Sequence, residues 1–327
     1  MKTLGCQFQA DELPHFEKCD FELSPQDDGP LFATLVRRSD LTQSSTGALD
    51  PRPAVLYLHG FVDYFFQTHM AEAFENAGFR FYALDMRRYG RSLRAPNRQN
   101  FAGQIDDYFE EIDLAIEQIT RSHPRIAAMV AHSTGGLIAA HYLSRGKLRA
   151  QVERLALNSP FLRFVLKPHD RLLSQITRYA GKVFPHIPLP QRLNSVYGQT
   201  LHRSQQGSWD YDLSKKPLAG FGLYSGWFTM ILDAQSQLDR LDLHLPILCL
   251  HSSVSHIPDD TPSEADFVSD TVLDVEDMKR LAPTMGSDVR LVEIKNGLHD
   301  LILSKQPARG KALAELIRFA EGQAADD

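Results

Sequence analysis

Ile126-Ala127-Ala128-Met129-Val130-Ala131-His132-Ser133-Thr134-Gly135-Gly136-Leu137 opens as an unbroken apolar run and passes through one serine into small residues. The first half suits a strand buried on both faces, and residues 134–143 suit a helix. A serine at such a junction fits a nucleophile elbow, a tight strand-to-helix turn that holds the side chain at the carboxyl edge of a sheet. Strand and helix backbones pass closely there, so small residues are needed two before and two after the serine. Ala131 and Gly135 meet that need, although alanine stands where glycine is usual. The helix N-terminus behind Ser133 would also help stabilise developing negative charge.

The neighbouring sequence has the same alternation. Residues 54–58, 79–84, 126–131 and 152–157 read as buried strands. Residues 67–77 read as a helix stopped by Gly78, and 104–122 carry a helical stripe through Ile105, Phe109, Ile112, Ile116 and Ile119. Strand and helix in turn predict a mostly parallel sheet with helices on both faces. Residues 16–23 and 31–38, joined by a Pro- and Gly-containing turn, read as a hairpin at the sheet edge, and 39–53 as a surface loop. The alternation lapses between Pro160 and Leu243. It resumes with strands at 246–250 and 289–294 and a closing helix at 307–320. The expected division is therefore core over 1–159, an inserted cap over 160–243 and the rest of the core over 244–327.

The 327 residues are 43% hydrophobic and 23% charged, which fits an ordered globular chain with a large core. A net charge of −6 and no Lys/Arg-rich run argue against a nucleic-acid groove. Arg87, Arg88, Arg91 and Arg94 read as a solvated loop after a strand, with a local anion or headgroup contact as the alternative. Cys6, Cys19 and Cys249 look too few and too scattered for a disulfide framework or a zinc site. Leu4-Gly5-Cys6 resembles a lipoprotein signal, but only five residues precede the cysteine and no apolar region exists to be recognised. No apolar run reaches the length of a membrane span. The expectation is a cytoplasmic chain with weak membrane-surface contact left open, no cofactor, no metal, and an oligomeric state the sequence does not give.

Further stretches extend the pattern around Ser133. His59-Gly60-Phe61 follows the first buried strand, and Asp85-Met86-Arg87-Arg88-Tyr89-Gly90-Arg91-Ser92 follows the second. Gly226-Trp227 lies in the inserted segment, and Gly297-Leu298-His299-Asp300 follows the last strand. In this order they resemble an α/β hydrolase of the monoacylglycerol-lipase and lysophospholipase branch, which is often grouped with serine aminopeptidases. Arg88 departs from that family's turn, which has glycine in its place.

A serine hydroxyl needs a base to remove its proton during attack, and histidine suits that role. Of thirteen histidines, His299 has the chain position that the serine–acid–histidine order of the fold requires. His59 is expected to shape the oxyanion loop, and His132 to pack under the elbow. The resemblance implies an acid at Asp270, in Asp270-Thr271-Val272, with Asp274 and Asp266 as the alternatives. The surrounding acidic segment matches no EF-hand spacing and reads as a solvated loop. The oxyanion donors would be the backbone amides of Thr134 and Phe61. His59, Gly60, Tyr64, Trp227 and Phe228 are assigned to substrate binding, with ordinary packing of the aromatic ones as the competing reading.

The expected activity is that of a serine hydrolase cleaving a small-molecule acyl ester, such as a monoacylglycerol or lysophospholipid, through an acyl-enzyme on Ser133. The alternatives are an aminopeptidase or amidase of the same fold and a non-catalytic ligand-binding protein. An exopeptidase would need acidic residues near the site, for which Asp210, Asp212 and Asp233 are candidates. An elbow serine in place of aspartate disfavours dehalogenase and epoxide-hydrolase chemistry.

Overall fold

Every residue of Ala54-Val55-Leu56-Tyr57-Leu58 is fully buried, and alternate side chains serve two different cores. In the computed structural model, which describes residues 6–39, 50–164, 170–189 and 194–323, this run is strand β4 (Ala54–Leu58). It follows β1 (Gln9–Ala10), β2 (Phe16–Gln26) and β3 (Gly29–Arg38). After it come α1 (Thr68–Asn76), β5 (Arg80–Asp85), α2 (Phe109–Thr120), β6 (Ile126–His132), α3 (Thr134–Arg145) and β7 (Leu155–Asn158). Helices α4 (Asp170–Val183), α5 (Val196–Leu201) and α6 (Ser225–Gln235) come next. The chain closes with β8 (Ile247–Ser252), α7 (Val275–Leu281), β9 (Val289–Ile294) and α8 (Ala308–Glu321).

The nine strands form one sheet in the order β1-β2-β3-β5-β4-β6-β7-β8-β9. Pairing is parallel from β5 through β9 and antiparallel from β1 to β5. Ala54, Leu56 and Leu58 share a core with α2 and α3 through Ile112, Ile116, Leu137 and Ile138. Val55 and Tyr57 face the opposite side, against Met70 and Phe74 of α1 and Leu316 of α8. This two-sided burial is the physical reason for an apolar run without polar alternation. The chain leaves β4 toward β5 on one side and reaches β6 on the other, and ligands favour the crevice at such a reversal.

Several expectations change in detail. The hairpin strands run on to Gln26 and from Gly29, with an irregular register between Leu23 and Gln26. Pro25 has no amide to donate in that interval. The short β1 pairs outside β2, so the hairpin is not the outermost edge. The stripe from 104 is a short 3-10 turn before α2, because Asp107 takes the Gly103 and Gln104 amides at 3.0 Å. Most of the loop expected over 39–53, together with Leu4 and Gly5, lies outside the described residues.

The cysteines are a correction. Antiparallel pairing of β1 with β2 brings Cys6 beside Cys19, and the two are joined in a disulfide with Cα atoms 5.7 Å apart. Such pairs are most common in oxidising compartments. Cys249 is buried and free. Among the described residues no helix is long and apolar enough to cross a membrane.

The arginine cluster is a second correction. Arg87, Arg88 and Arg91 are buried, not solvated. Arg87 forks onto Glu111 of α2 at 2.5–3.1 Å, and Arg88 is held by Asp28 of the hairpin turn and by Gln26. Arg91 joins Asp11 and Asp85, each at 2.8 Å. Asp85 is a near neighbour in the chain, but Asp28, Glu111 and Asp11 come from other elements, so the composition of the loop alone could not reveal those pairings. Although burial opposes the Arg91 charge, Asp85 and Asp11 raise its pKa. Asp85 also accepts the Phe65 amide at 2.8 Å, so these pairs hold the loop after β4. Arg91→Met should strand two buried carboxylates and cost about 3–5 kcal/mol. A denaturant titration would read this as a lower midpoint with an unchanged slope.

Candidate active site

Ser133 begins α3 from the end of β6 with φ 51° and ψ −119°, a strained backbone for a residue with a side chain. The turn holds because both flanks are tied. The Ser133 amide donates to the Asn158 carbonyl at 3.0 Å, and its carbonyl accepts from Gly136 at 2.9 Å and Phe161 at 3.0 Å. Gly135 lies against the end of β4, where a Cβ would collide with the His59 carbonyl and lie 2.8 Å from that of Leu58. Glycine is required there. Ala131 is fully buried in the core, so its methyl group is accommodated.

The His299 Nε2 lies 3.0 Å from Ser133 Oγ, and His299 Nδ1 lies 2.9 Å from Asp270 Oδ2. With Nδ1–H donating to the carboxylate, Nε2 is free to accept from the serine hydroxyl. The other oxygen of Asp270 accepts the amides of Val272 at 2.9 Å and Leu273 at 2.8 Å. The segment after β8 loops out and returns, and Asp270 bridges back to Val254 and Ser255. That return brings Asp270 to the end of β8 despite the long insert. Asp266 instead caps its own turn through Ser263, and Asp274 caps α7.

Thr134 opens α3, so its amide has no acceptor within the helix. The Phe61 amide donates to no protein acceptor among the described residues. His59 is buried, with Nδ1 2.8 Å from the Gly60 carbonyl and Nε2 accepting the Met86 amide at 3.0 Å. Burial lowers its pKa, so it is a neutral brace for the loop. Gly60 lies where an added Cβ would approach Ser133 Cβ to 3.0 Å. His132 lies 4.8 Å ring to ring from His299, with Nδ1 3.0 Å from the Asn158 carbonyl, and burial lowers its pKa too.

Ser133 and His299 open into a cavity of about 320 Å³. Phe61, Trp227, Phe164 and Phe161 make one wall, with the Phe61 and Trp227 rings 4.1 Å apart. Of the residues assigned to substrate binding, Trp227 lines this space, and His59, Gly60, Tyr64 and Phe228 do not. Tyr64 is a packing post: its hydroxyl accepts the Asp212 amide at 2.8 Å and its ring faces Phe66. Phe228 packs on Phe164 at 4.9 Å, behind the residues that line the cavity. Asp210, Asp212 and Asp233 also lie off the cavity, paired with Arg203, Lys215 and Arg178.

Four residues that carry no motif complete the surroundings. Asn158 donates to Asp300 at 2.7 Å, and Tyr197 accepts the Asp300 amide at 3.0 Å, which secures the loop bearing His299. Asp63 and Lys216 form a buried ion pair in the cavity wall, 2.5 Å apart. The side chains of Asp63, His132 and Asp300 are near enough to share a cation. Lys216 already holds Asp63 and Asn158 holds Asp300, so the group has internal partners.

A mostly parallel sheet with a strained serine between strand and helix, facing histidine and aspartate from later loops, defines an α/β-hydrolase fold. Residues 50–306 match the family model described as Serine aminopeptidase, S33, and the chain belongs to that family of hydrolases. The chain is 28% identical over 145 residues to a monoacylglycerol lipase of Mycolicibacterium smegmatis, a match spanning 43% of this chain and 49% of that lipase. The chain thus matches about half the length of that curated relative. In fold it is similar to a Paleococcus ferrophilus monoacylglycerol lipase, with TM-score 0.63 and 16% identity over 84% of this chain and 97% of that one. It is similar also to a Saccharomyces cerevisiae monoglyceride lipase with a substrate analogue, with TM-score 0.62 and 15% identity over 99% and 98% of the two chains.

If Asp270 orients His299, Asp270→Asn should lower turnover by about 10³–10⁴-fold, because an amide favours the wrong tautomer. Asp274→Asn should leave turnover near that of the parent, since asparagine also caps a helix. Steady-state kinetics on any accepted substrate compares the two.

Proposed function

We propose that this hydrolase cleaves carboxylic esters through an acyl-enzyme on Ser133. The observation that carries the reading is the 3.0 Å approach of His299 Nε2 to Ser133 Oγ beside an aromatic-walled cavity. Ser133 Oγ attacks the ester carbonyl as His299 Nε2 takes its proton. The Thr134 and Phe61 amides stabilise the oxyanion, an interaction of the kind worth about 2.7–4 kcal/mol per donor. Collapse expels the alcohol, to which His299 returns the proton. Water, deprotonated by the same nitrogen, then releases the acid. Asp270 holds the imidazole orientation and stabilises its charged form.

Residues 160–243 act in this reading as a cap over the core formed by 1–159 and 244–327. Trp227 and Phe164 of that segment support an acyl pocket, and a monoacylglycerol- or lysophospholipid-like ester is the substrate class. The lipase relatives support the same choice. Aminoacyl amides fit less well, because the three acidic residues first considered for an amine lie off the cavity and are paired with cations.

Ser133→Ala should abolish fluorophosphonate labelling and nearly all ester turnover while the chain stays folded; full activity in that variant would sink the reading. Each buried methylene favours binding by about 0.8 kcal/mol, so kcat/KM should rise with acyl length until the pocket is full. Trp227→Ala should blunt that rise more than it lowers acetate turnover. A preference for amides with a free amino terminus, unaffected by Trp227→Ala, would favour peptidase action instead.

A further inference from the structure

A second cavity, of about 250 Å³, shares no lining residue with the one that holds Ser133. Leu298, Leu303 and Ser304, on the loop that carries His299, line it. So does Phe267, three residues before Asp270 in the segment after β8. Trp209, from the segment between β7 and β8, joins them and donates its indole N–H to the Leu303 carbonyl at 2.7 Å. Lys305, just before α8, and Arg309, in its first turn, also line this space. Ester cleavage at Ser133 uses none of these side chains.

Two of them carry charge that nothing answers. Lys305 Nζ lies 4.9 Å from the centre of the Phe267 ring, and the Arg309 guanidinium 5.2 Å from that of Trp209. Among the described residues neither charged group has a carboxylate or a hydrogen-bond acceptor. A ring face orients a cation but does not neutralise it. Arg309 also stands where the dipole of α8 opposes a cation, with no acidic side chain in that turn. The contrast with Arg87, Arg88 and Arg91, each of which reaches a carboxylate, is sharp in a chain of net charge −6. The field of Arg309 extends to His69, whose ring stacks on Trp209 at 4.6 Å: burial lowers the His69 pKa, and Arg309 acts in the same direction. A third group points the same way. Ser304 is 1% exposed, its Oγ accepts the Leu298 amide at 2.8 Å, and its own proton has no acceptor among the described residues.

We propose that this cavity binds a phosphate dianion, either the free ion or the phosphoryl group of a monoester. Arg309 and Lys305 match its two charges, and the Ser304 hydroxyl donates to a further oxygen. A carboxylate, with one charge and two oxygens, leaves one of the cations unmatched. Because the rings of Trp209 and Phe267 already orient the two cations, little side-chain freedom is lost on binding. Ser304 ends the loop that bears His299, and Phe267, under Lys305, belongs to the segment that bears Asp270. A bound phosphate therefore links the supports of the base and the acid from outside the reaction cavity. The site stands whichever bond is cleaved at Ser133.

The test uses the full chain in a phosphate-free buffer, with chloride holding the ionic strength constant. Inorganic phosphate, phenyl phosphate and acetate are titrated in turn by isothermal calorimetry. Inorganic phosphate should bind saturably with a Kd of about 1 mM or tighter, the scale of a few charge-assisted hydrogen bonds. Acetate should bind roughly tenfold more weakly or not at all. Tighter binding of phenyl phosphate than of inorganic phosphate supports the site and assigns the rest of the cavity to the organic part of a monoester. Binding no tighter than that of inorganic phosphate supports it as a site for the free ion. The double variant Lys305→Met, Arg309→Met should weaken phosphate roughly tenfold or more, with circular dichroism as the check on folding. Lys305 is exposed, so Lys305→Met alone keeps the fold and should still weaken binding severalfold if the double variant does not fold. No saturable phosphate binding, phosphate affinity unchanged in a folded variant, or acetate bound as tightly as phosphate would overturn the assignment.

Discussion

The contact of Gly135 with the end of β4 is the constraint on which the remaining geometry depends. Because no side chain intervenes, α3 starts directly over the carbonyls of Leu58 and His59. That places Ser133 at the sheet's edge, beside the loop that carries Phe61. The positive φ of Ser133 would relax in a free chain, but amide and carbonyl are both tied to the ends of β7 and α3. Strain is thus held by hydrogen bonds from two elements, and it leaves the hydroxyl in the cavity.

A second layer of constraint lies behind the loop after β4. Arg91 binds Asp85, and Asp85 accepts the Phe65 amide, so buried charge determines where residues 59–66 run. His59 adds a neutral brace between Gly60 and Met86. Buried ion pairs contribute little net stability against apolar packing, but their geometry is demanding. Here that demand falls on the loop that carries Phe61 beside Ser133. Arg88 is an instance of the same trade: it accepts a positive φ of 64° where glycine would be relaxed, and its guanidinium joins the hairpin turn through Asp28.

Burial on two faces writes itself into sequence as largely apolar runs, so the strands from β4 to β8 could be read with only small errors at their ends. Chain order served equally well for Ser133 and His299, because the fold brings fixed positions along the chain to one edge. Asp270 was legible only through the resemblance of Asp270-Thr271-Val272 to a family stretch. Its approach to His299 depends on a loop that departs from β8 and returns, and no local pattern reports such a return. The aromatic residues after His59 were less legible still. Tyr64, Phe65 and Phe66 look alike in sequence, but Tyr64 and Phe66 pack together in one cluster and Phe65 enters the core under the sheet with Tyr57 and Phe81.

Sequence by itself thus determined the α/β-hydrolase architecture, the elbow, and which serine and histidine face one another in chain order. These follow from local periodicity, from glycine where a backbone comes too close, and from the order of elements. Tertiary structure alone decided which charges are buried and with whom. Arg87 and Arg91 find carboxylates on α2 and near β1, Cys6 before β1 finds Cys19 of β2, and Asp63 finds Lys216 from the segment between β7 and β8. A long-range pair leaves no periodic trace, because each partner's choice depends on where the other element packs and not on its neighbours in the chain.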